Sequence, residues 1–130
     1  MEMKKSDIFD RWTILLMKAK FDEGAKHELT EYETTVKSAI NSIKGQILLE
    51  LVKSLVMLME GNAKTWVVEA AIRQECPQDP AAGGPPPDFR EIGRRALEIR
   101  SYNKIRCEAK AKIDEIFGDI PDRKVDHASQ

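Results

Sequence analysis

A chain of 130 residues gives one domain on length grounds, with enough residues to enclose a core. Charged residues make up 33% of it and the formal net charge is −1, so the surface is well solvated and carries no global bias toward nucleic acid or anionic membrane. Aromatic residues are only 6%, too few for the stacking platforms of single-strand binders.

The N-terminus, MEMKKSDIFDRW, carries charges where a signal peptide has an apolar core. Cys76 and Cys107 make neither a metal spacing nor a disulfide framework, which fits a reducing compartment. A cytoplasmic protein with no metal or cofactor is expected. Ser6 is positioned to cap a first helix over 7–21, with Asp7 and Asp10 near its start. Two stripes run along it. One is Ile8, Trp12, Leu15 and Ala19. The other mixes apolar and charged groups: Asp7, Arg11, Ile14, Lys18 and Phe21. Glu23, Gly24 and Ala25 read as its end. Thr30 and Glu33 have capping-box spacing for the next start.

From there one helical stripe continues through Ile40, Ile43, Ile47, Leu51, Leu55, Leu58, Asn62, Trp66, Glu69 and Arg73, in steps of three and four. At 47–59, ILLELVKSLVMLM is apolar around most of its circumference. Thirteen residues containing Glu50 and Lys53 are too short and too charged to span a bilayer. Unbroken to Arg73, the segment would measure about 65 Å at 1.5 Å per residue, so it either breaks or is covered by a partner. Gly45 and Gly61 are the candidate bends. The stripe keeps phase through Gly61, which favours a continuation there over a reversal. The apolar run predicts a homodimer that buries Leu48, Val52, Val56 or Met59.

Residues 76–87, CPQDPAAGGPPP, hold five prolines and two glycines, which no helix survives; they read as a Pro/Gly-rich crossover. Asp88 and Glu91 then open a last helix to Phe117, stopped by Gly118. Its stripe is Ile92, Ala96, Ile99, Asn103, Arg106, Lys110 and Ile113. Residues 120–130 form a polar tail. The expected architecture is all-α: a single domain over 1–130, a bundle of three to four helices with one long central helix.

Polar groups on a core-facing stripe cost free energy unless they are paired or bind something. Here three helices interrupt their stripes in the same way. The first offers Asp7, Asp10, Arg11 and Lys18; the second Asn62, Trp66, Glu69 and Arg73; the last Asn103, Arg106 and Lys110. The coincidence predicts a shared polar pocket between helices. Arg11, Arg73 and Arg106 would hold an anion and Trp66 would stack on a ring. Asn62 and Asn103 would orient hydroxyls, and Glu69 or Asp10 is the only acid or base available. Five basic against three acidic residues in this set favour an anionic ligand, such as a phosphate- or carboxylate-bearing sugar derivative or a nucleotide. The alternative is a structural, oligomerising module whose buried charges neutralise one another. The pattern marks a site without naming a reaction. No Ser–His or Cys–His pairing has readable spacing, and no glycine-rich phosphate loop is present.

Three segments resemble those of a family of small, uncharacterised bacterial all-helical proteins. D-I-F-D-R-W-T-I-L-L-M-K at 7–18 is similar to that family's D-x-x-D-R-x-[ST]-I-L-x-x-K. N-A-K-T-W-V-V-E-A-A-I-R at 62–73 is similar to its N-x-x-x-W-x-x-E-x-x-I-R. The stretch 89–106, ending N-K-I-R, is similar to its N-x-x-R segment, followed here by Lys110 and Ile113-Asp114. The resemblance covers most of the chain in order and implies an all-helical fold, with no established activity to transfer. An association with surface-polysaccharide genes implies a sugar or sugar-nucleotide ligand. The glycine-proline crossover departs from that pattern.

Overall fold

The computed structural model describes residues 3–75 and 88–119. They form four helices: α1 (Lys5–Lys18), α2 (Glu23–Asn41), α3 (Gly45–Glu75) and α4 (Phe89–Phe117). The chain is an all-α bundle, and no strand occurs among the described residues. No described helix is long and apolar enough to cross a membrane. The expected crossover at 76–87 and tail at 120–130 lie outside the described residues.

α1 is the hub, packed against the other three helices, while α3 and α4 make the most extensive pairing. The contacts Asp7–Lys110 and Asp10–Arg106 show that α1 and α4 run antiparallel. Arg11–Glu28 and Tyr32–Met3 show the same of α1 and α2. The core joins Ile8 and Phe9 of α1 to Val36 and Ala39 of α2, Leu51 and Leu58 of α3, and Ala109 and Ile113 of α4. Phe9 stacks on Phe117 with centroids 5.9 Å apart and meets Trp12 edge-on at 6.3 Å. Such aromatic pairs add about 0.5–1.5 kcal/mol beyond their area.

The helix ends correct three expectations. Ser6 does not cap α1: Lys4 is the N-cap residue and makes no side-chain cap bond. The open amides are satisfied from the far end of α4 instead. Lys5 N donates to Asp119 Oδ2 (3.0 Å), and the buried Ser6 N donates to Asp114 Oδ1 (3.2 Å). Two carboxylates thus face the positive end of the α1 dipole. Second, Glu23–Gly24–Ala25 opens α2 and does not close α1. Asp22 is the cap, its side chain accepting from Gly24 N. A glycine costs little in a first turn whose amides lack helical partners anyway. Thr30 sits mid-helix, its hydroxyl donating back to the Lys26 carbonyl.

Third, the long stripe breaks near Gly45. α2 ends at Asn41, and α3 opens at Gly45 with φ +65°. That left-handed conformation suits glycine, which has no Cβ to clash. The break removes the length problem, so α3 can fold back along the bundle. α3 runs unbroken through Gly61. That glycine is buried against α4, where an added Cβ would lie 3.2 Å from the Tyr102 carbonyl oxygen and 3.5 Å from Arg106 Cβ. α4 begins and ends as expected. Asp88 accepts from the amides of Arg90 and Glu91, and Gly118 closes it with φ +73°.

The run 47–59 is not buried on all sides. Leu51, Ser54 and Leu58 face the core, while Leu49, Val52, Val56 and Met59 are exposed; Leu48 is half-buried.

The two helical glycines Gly61 and Gly93 give an internal comparison. Gly93 has no described atom within 4 Å of a built Cβ, and it lies in a helix, where Ala is favoured over Gly. Gly93→Ala is expected to raise unfolding free energy by about 0.5–1 kcal/mol. Gly61→Val is expected to lower it by about 1–3 kcal/mol through overpacking against α4. Urea melts of both variants check the signs.

Candidate functional site

The second turn of α1 carries Asp10 at 7% exposure, facing both α3 and α4. Its Oδ1 accepts from Asn62 Nδ2 (2.9 Å) and Arg106 Nε (2.9 Å), and its Oδ2 accepts from Arg106 Nη2. The guanidinium fork therefore grips both oxygens. Asn62 Nδ2 also donates to Thr13 Oγ1 (3.0 Å), and that hydroxyl donates to the Asp10 carbonyl (2.8 Å). Arg106 Nη1 donates to Asn103 Oδ1 (3.2 Å). One node thus ties α1, α3 and α4 together with its polar groups satisfied.

Burial pushes the Asp10 carboxyl up, but the hydrogen bonds from Arg106 and Asn62 and the charges of Arg106 and Lys110 more than offset it. Asp10 therefore lies below the ordinary aspartate value and stays ionised at neutral pH. The hydrogen bond to Asp10 raises Arg106 against the opposing effect of its own burial.

Above the node a cleft of about 560 Å³ opens between the same three helices. Seven predicted residues line it: Lys18, Asn62, Trp66, Glu69, Arg73, Asn103 and Arg106. Ile14, Met17 and Ile99 supply apolar wall, and Phe21 meets Trp66 edge-on at 6.4 Å. Residues from the interrupted stripes of three helices thus line one cleft.

Four predicted residues do not line the cleft. Asp10 lies beneath it, held by Arg106. Asp7 pairs with Lys110 (Nζ to Oδ1, 2.9 Å). Arg11 turns the other way, donating from Nε and Nη2 to the two carboxylate oxygens of Glu28 at 3.0 and 2.9 Å. That bond holds Glu28 below and Arg11 above their ordinary values. Arg11 was expected to hold the anion. One position along a helix is about 100°, so a neighbour of Asp10 cannot share its face, and Glu28 on α2 claims it.

Burial of Glu69 between arginines would make Glu69→Ala costly, but the structure does not bury it. It is exposed on the cleft wall, and Glu69→Ala should shift stability by only about 0.5 kcal/mol or less. The charge tally changes with it. Three of the five basic residues are paired one to one: Arg11 with Glu28, Arg106 with Asp10 and Lys110 with Asp7. Lys18 and Arg73 remain on the cleft without a hydrogen bond or ion pair to a described residue, and so does Glu69.

Thr13, Met17 and Thr65 escaped the sequence reading. Thr65 follows Asn62 by three, the spacing of one helix face, so periodicity could have found it. Its hydroxyl is buried on the cleft wall and has no hydrogen-bond partner among the described residues. No three His, Cys, Asp or Glu side chains among the described residues cluster as metal ligands. Comparison with protein-family models, with curated proteins and with solved structures finds no match to this chain.

Removing Arg106 leaves Asp10 a buried charge without its cation. Broken buried pairs cost roughly 3–5 kcal/mol, and because Arg106 keeps 29% side-chain exposure the lower end applies to Arg106→Met. The pH dependence has a definite sign. Asp10 is lowered from 3.8, so its contribution is fully present above that value and is lost as pH falls through the lower folded-state value. In Arg106→Met burial is the largest remaining influence and raises Asp10 instead, so the sign reverses: lowering the pH protonates the stranded carboxylate, and denaturant melts should show the variant's deficit against wild type shrinking as the pH falls.

Proposed function

We propose that the cleft between α1, α3 and α4 binds a small anionic molecule with a flat or apolar portion: a phosphate- or carboxylate-bearing sugar derivative or a nucleotide. The observation that carries this is the pair of cations left over. Lys18 and Arg73 stand on the cleft without a hydrogen bond or ion pair to a described residue, Lys18 feeling the Glu28 charge only through space, against the single carboxylate of Glu69. An anion there gains from both and needs no buried pair to be broken. Arg73 offers the planar fork that matches phosphate and carboxylate, and Lys18 a mobile point charge. The indole of Trp66 is the flat surface beside them, and Ile14, Met17 and Ile99 take the apolar part.

The roles of several residues shift accordingly. Asn62 has its amide group committed to Asp10 and Thr13, so it supports the cleft floor. Asn103 accepts from Arg106 through Oδ1, which leaves its amide hydrogens for a ligand hydroxyl. Asp10 is saturated by donors and held ionised, a poor proton donor. Glu69 is the carboxylate within reach of a bound molecule, and any acid–base step falls to it. The resemblance to small bacterial helical proteins and the free thiol of Cys107 support placement in a bacterial cytoplasm.

The structural alternative keeps the inner half of the site. The one-to-one pairing of Arg106, Lys110 and Arg11 is what a self-neutralising module requires, and it accounts for those residues without a ligand.

An anion that binds only the folded state stabilises it by mass action, about 2.7 kcal/mol at a hundredfold excess over its dissociation constant. Thermal melts with phosphate, sulfate or a sugar nucleotide, against chloride at matched ionic strength, should show a rise in Tm for wild type. Lys18→Gln/Arg73→Gln should lose the rise while keeping the helical circular dichroism, since neither side chain makes a hydrogen bond or ion pair to a described residue. Equal stabilisation of both proteins by every anion would leave the structural module standing.

A further inference from the structure

α3 carries a second feature on the side away from α1 and α4. Leu49, Val52, Val56, Met59, Ala63 and Trp66 follow one another in steps of three and four, the a and d positions of three consecutive heptads. The first five are exposed; Val52 is 47% and Val56 60% accessible. The adjoining Val67 is 69% accessible. The stripe runs about 25 Å along the helix at 1.5 Å per residue, and no described residue covers it. Contiguous apolar exposure of this kind marks an interaction surface.

The charges beside it choose the occupant. Lys53 and Glu60 are one heptad apart on a single flank, with side chains 62% and 51% accessible. Their opposite signs favour a copy of the same helix running the other way, where Lys53 of each chain faces Glu60 of the other. A parallel copy would put this flank against Leu55 and Asn62, which offer no charge. The antiparallel register also matches the apolar layers. Val56 lies opposite Met59, Val52 opposite the small Ala63, and Leu49 opposite Trp66. A membrane surface fits poorly, because Glu50, Lys53, Glu60 and Lys64 cancel and give no attraction to anionic lipid.

We propose that α3 pairs with α3 of a second copy of this chain as an antiparallel two-stranded coiled coil, with Val56 and Met59 at its centre and reciprocal Lys53–Glu60 contacts on its flank. The arrangement is self-complementary, as a two-fold interface must be. It also reaches the cleft. Trp66 is both the last layer of the seam and a wall of the cleft, so Leu49 of the second copy closes against it. Only this last clause rests on the ligand reading; the pairing does not.

Sedimentation or light scattering of the full chain, without added anion, tests it over a dilution series. Wild type is expected at twice the chain mass at micromolar concentration. Val56→Glu sets two like charges at the centre of the interface and should raise the dimer Kd about a hundredfold. Val56 is exposed within one chain, so circular dichroism should be unchanged. Lys53→Glu should raise Kd severalfold, and Lys53→Glu/Glu60→Lys should return it to near the wild-type value. A monomer at high concentration would overturn the proposal, whether the seam is taken by another protein or by residues 76–87 or 120–130 of the same chain. A dimer insensitive to Val56→Glu, or one not rescued by the charge exchange, would overturn it too. Dimerisation that survives with no anion effect would remove the ligand reading alone.

Discussion

The Asp10 carboxylate is the group on which the arrangement of α1, α3 and α4 depends. A carboxylate at 7% exposure is costly to bury unless its charge and lone pairs are met. Arg106 meets the charge with a two-pronged grip, Asn62 adds a donor from α3, and Thr13 ties Asn62 back to α1. Each partner comes from a fixed place on its own helix, so satisfying all of them allows little freedom in how the helices slide or rotate. Hydrophobic packing around Phe9, Leu51, Leu58 and Ile113 supplies burial, but apolar side chains are more tolerant of register. Gly61 belongs to the same constraint. Its missing side chain lets α3 come close enough to α4, beside Arg106, for the three helices to share one carboxylate.

The cleft is a consequence of that node. Arg106 faces Asp10 below and the cleft above, and Asn103 lines the cleft beside it, accepting from Arg106. Asn62 and Thr65 form part of its wall, together with Trp66, Glu69 and Arg73. A hydrogen-bonded floor beneath a partly cationic mouth is the arrangement the proposed binding needs, because ordered groups lower the reordering cost. The division of labour is physical. The inner charges are paired and fix geometry, while the outer ones, Lys18 and Arg73, make no ion pair with a described residue and are the ones the proposed ligand would meet.

How much of this could be read in the sequence differs by element. The convergence of three polar interruptions was legible because each breaks an apolar stripe in phase, and seven of the residues do meet at one cleft. α4 was legible to the residue, because Asp88 and Gly118 are strong local signals. The α2–α3 break was legible only as one of two candidate bends, Gly45 and Gly61, because Ile40, Ile43 and Ile47 stay in helical phase across it; periodicity cannot detect a turn that preserves spacing. The start of α1 was hidden because its cap comes from Asp114 and Asp119, more than a hundred residues away. Arg11 was misplaced because Glu28, its partner, carried no signal in a segment assigned to a turn. Local rules found local caps and faces, and long-range pairing decided which charges were free.

A double-mutant cycle on Asp10→Asn and Arg106→Met tests the central claim most directly. If the two side chains act as one unit, each single change leaves the other group uncompensated, and the double change costs much less than the sum. A coupling free energy above about 1.5 kcal/mol is expected, within the range for residues in one network. Effects that add to within about 0.5 kcal/mol would mean that Asp10 and Arg106 contribute separately, and that something else holds α1, α3 and α4 around the cleft.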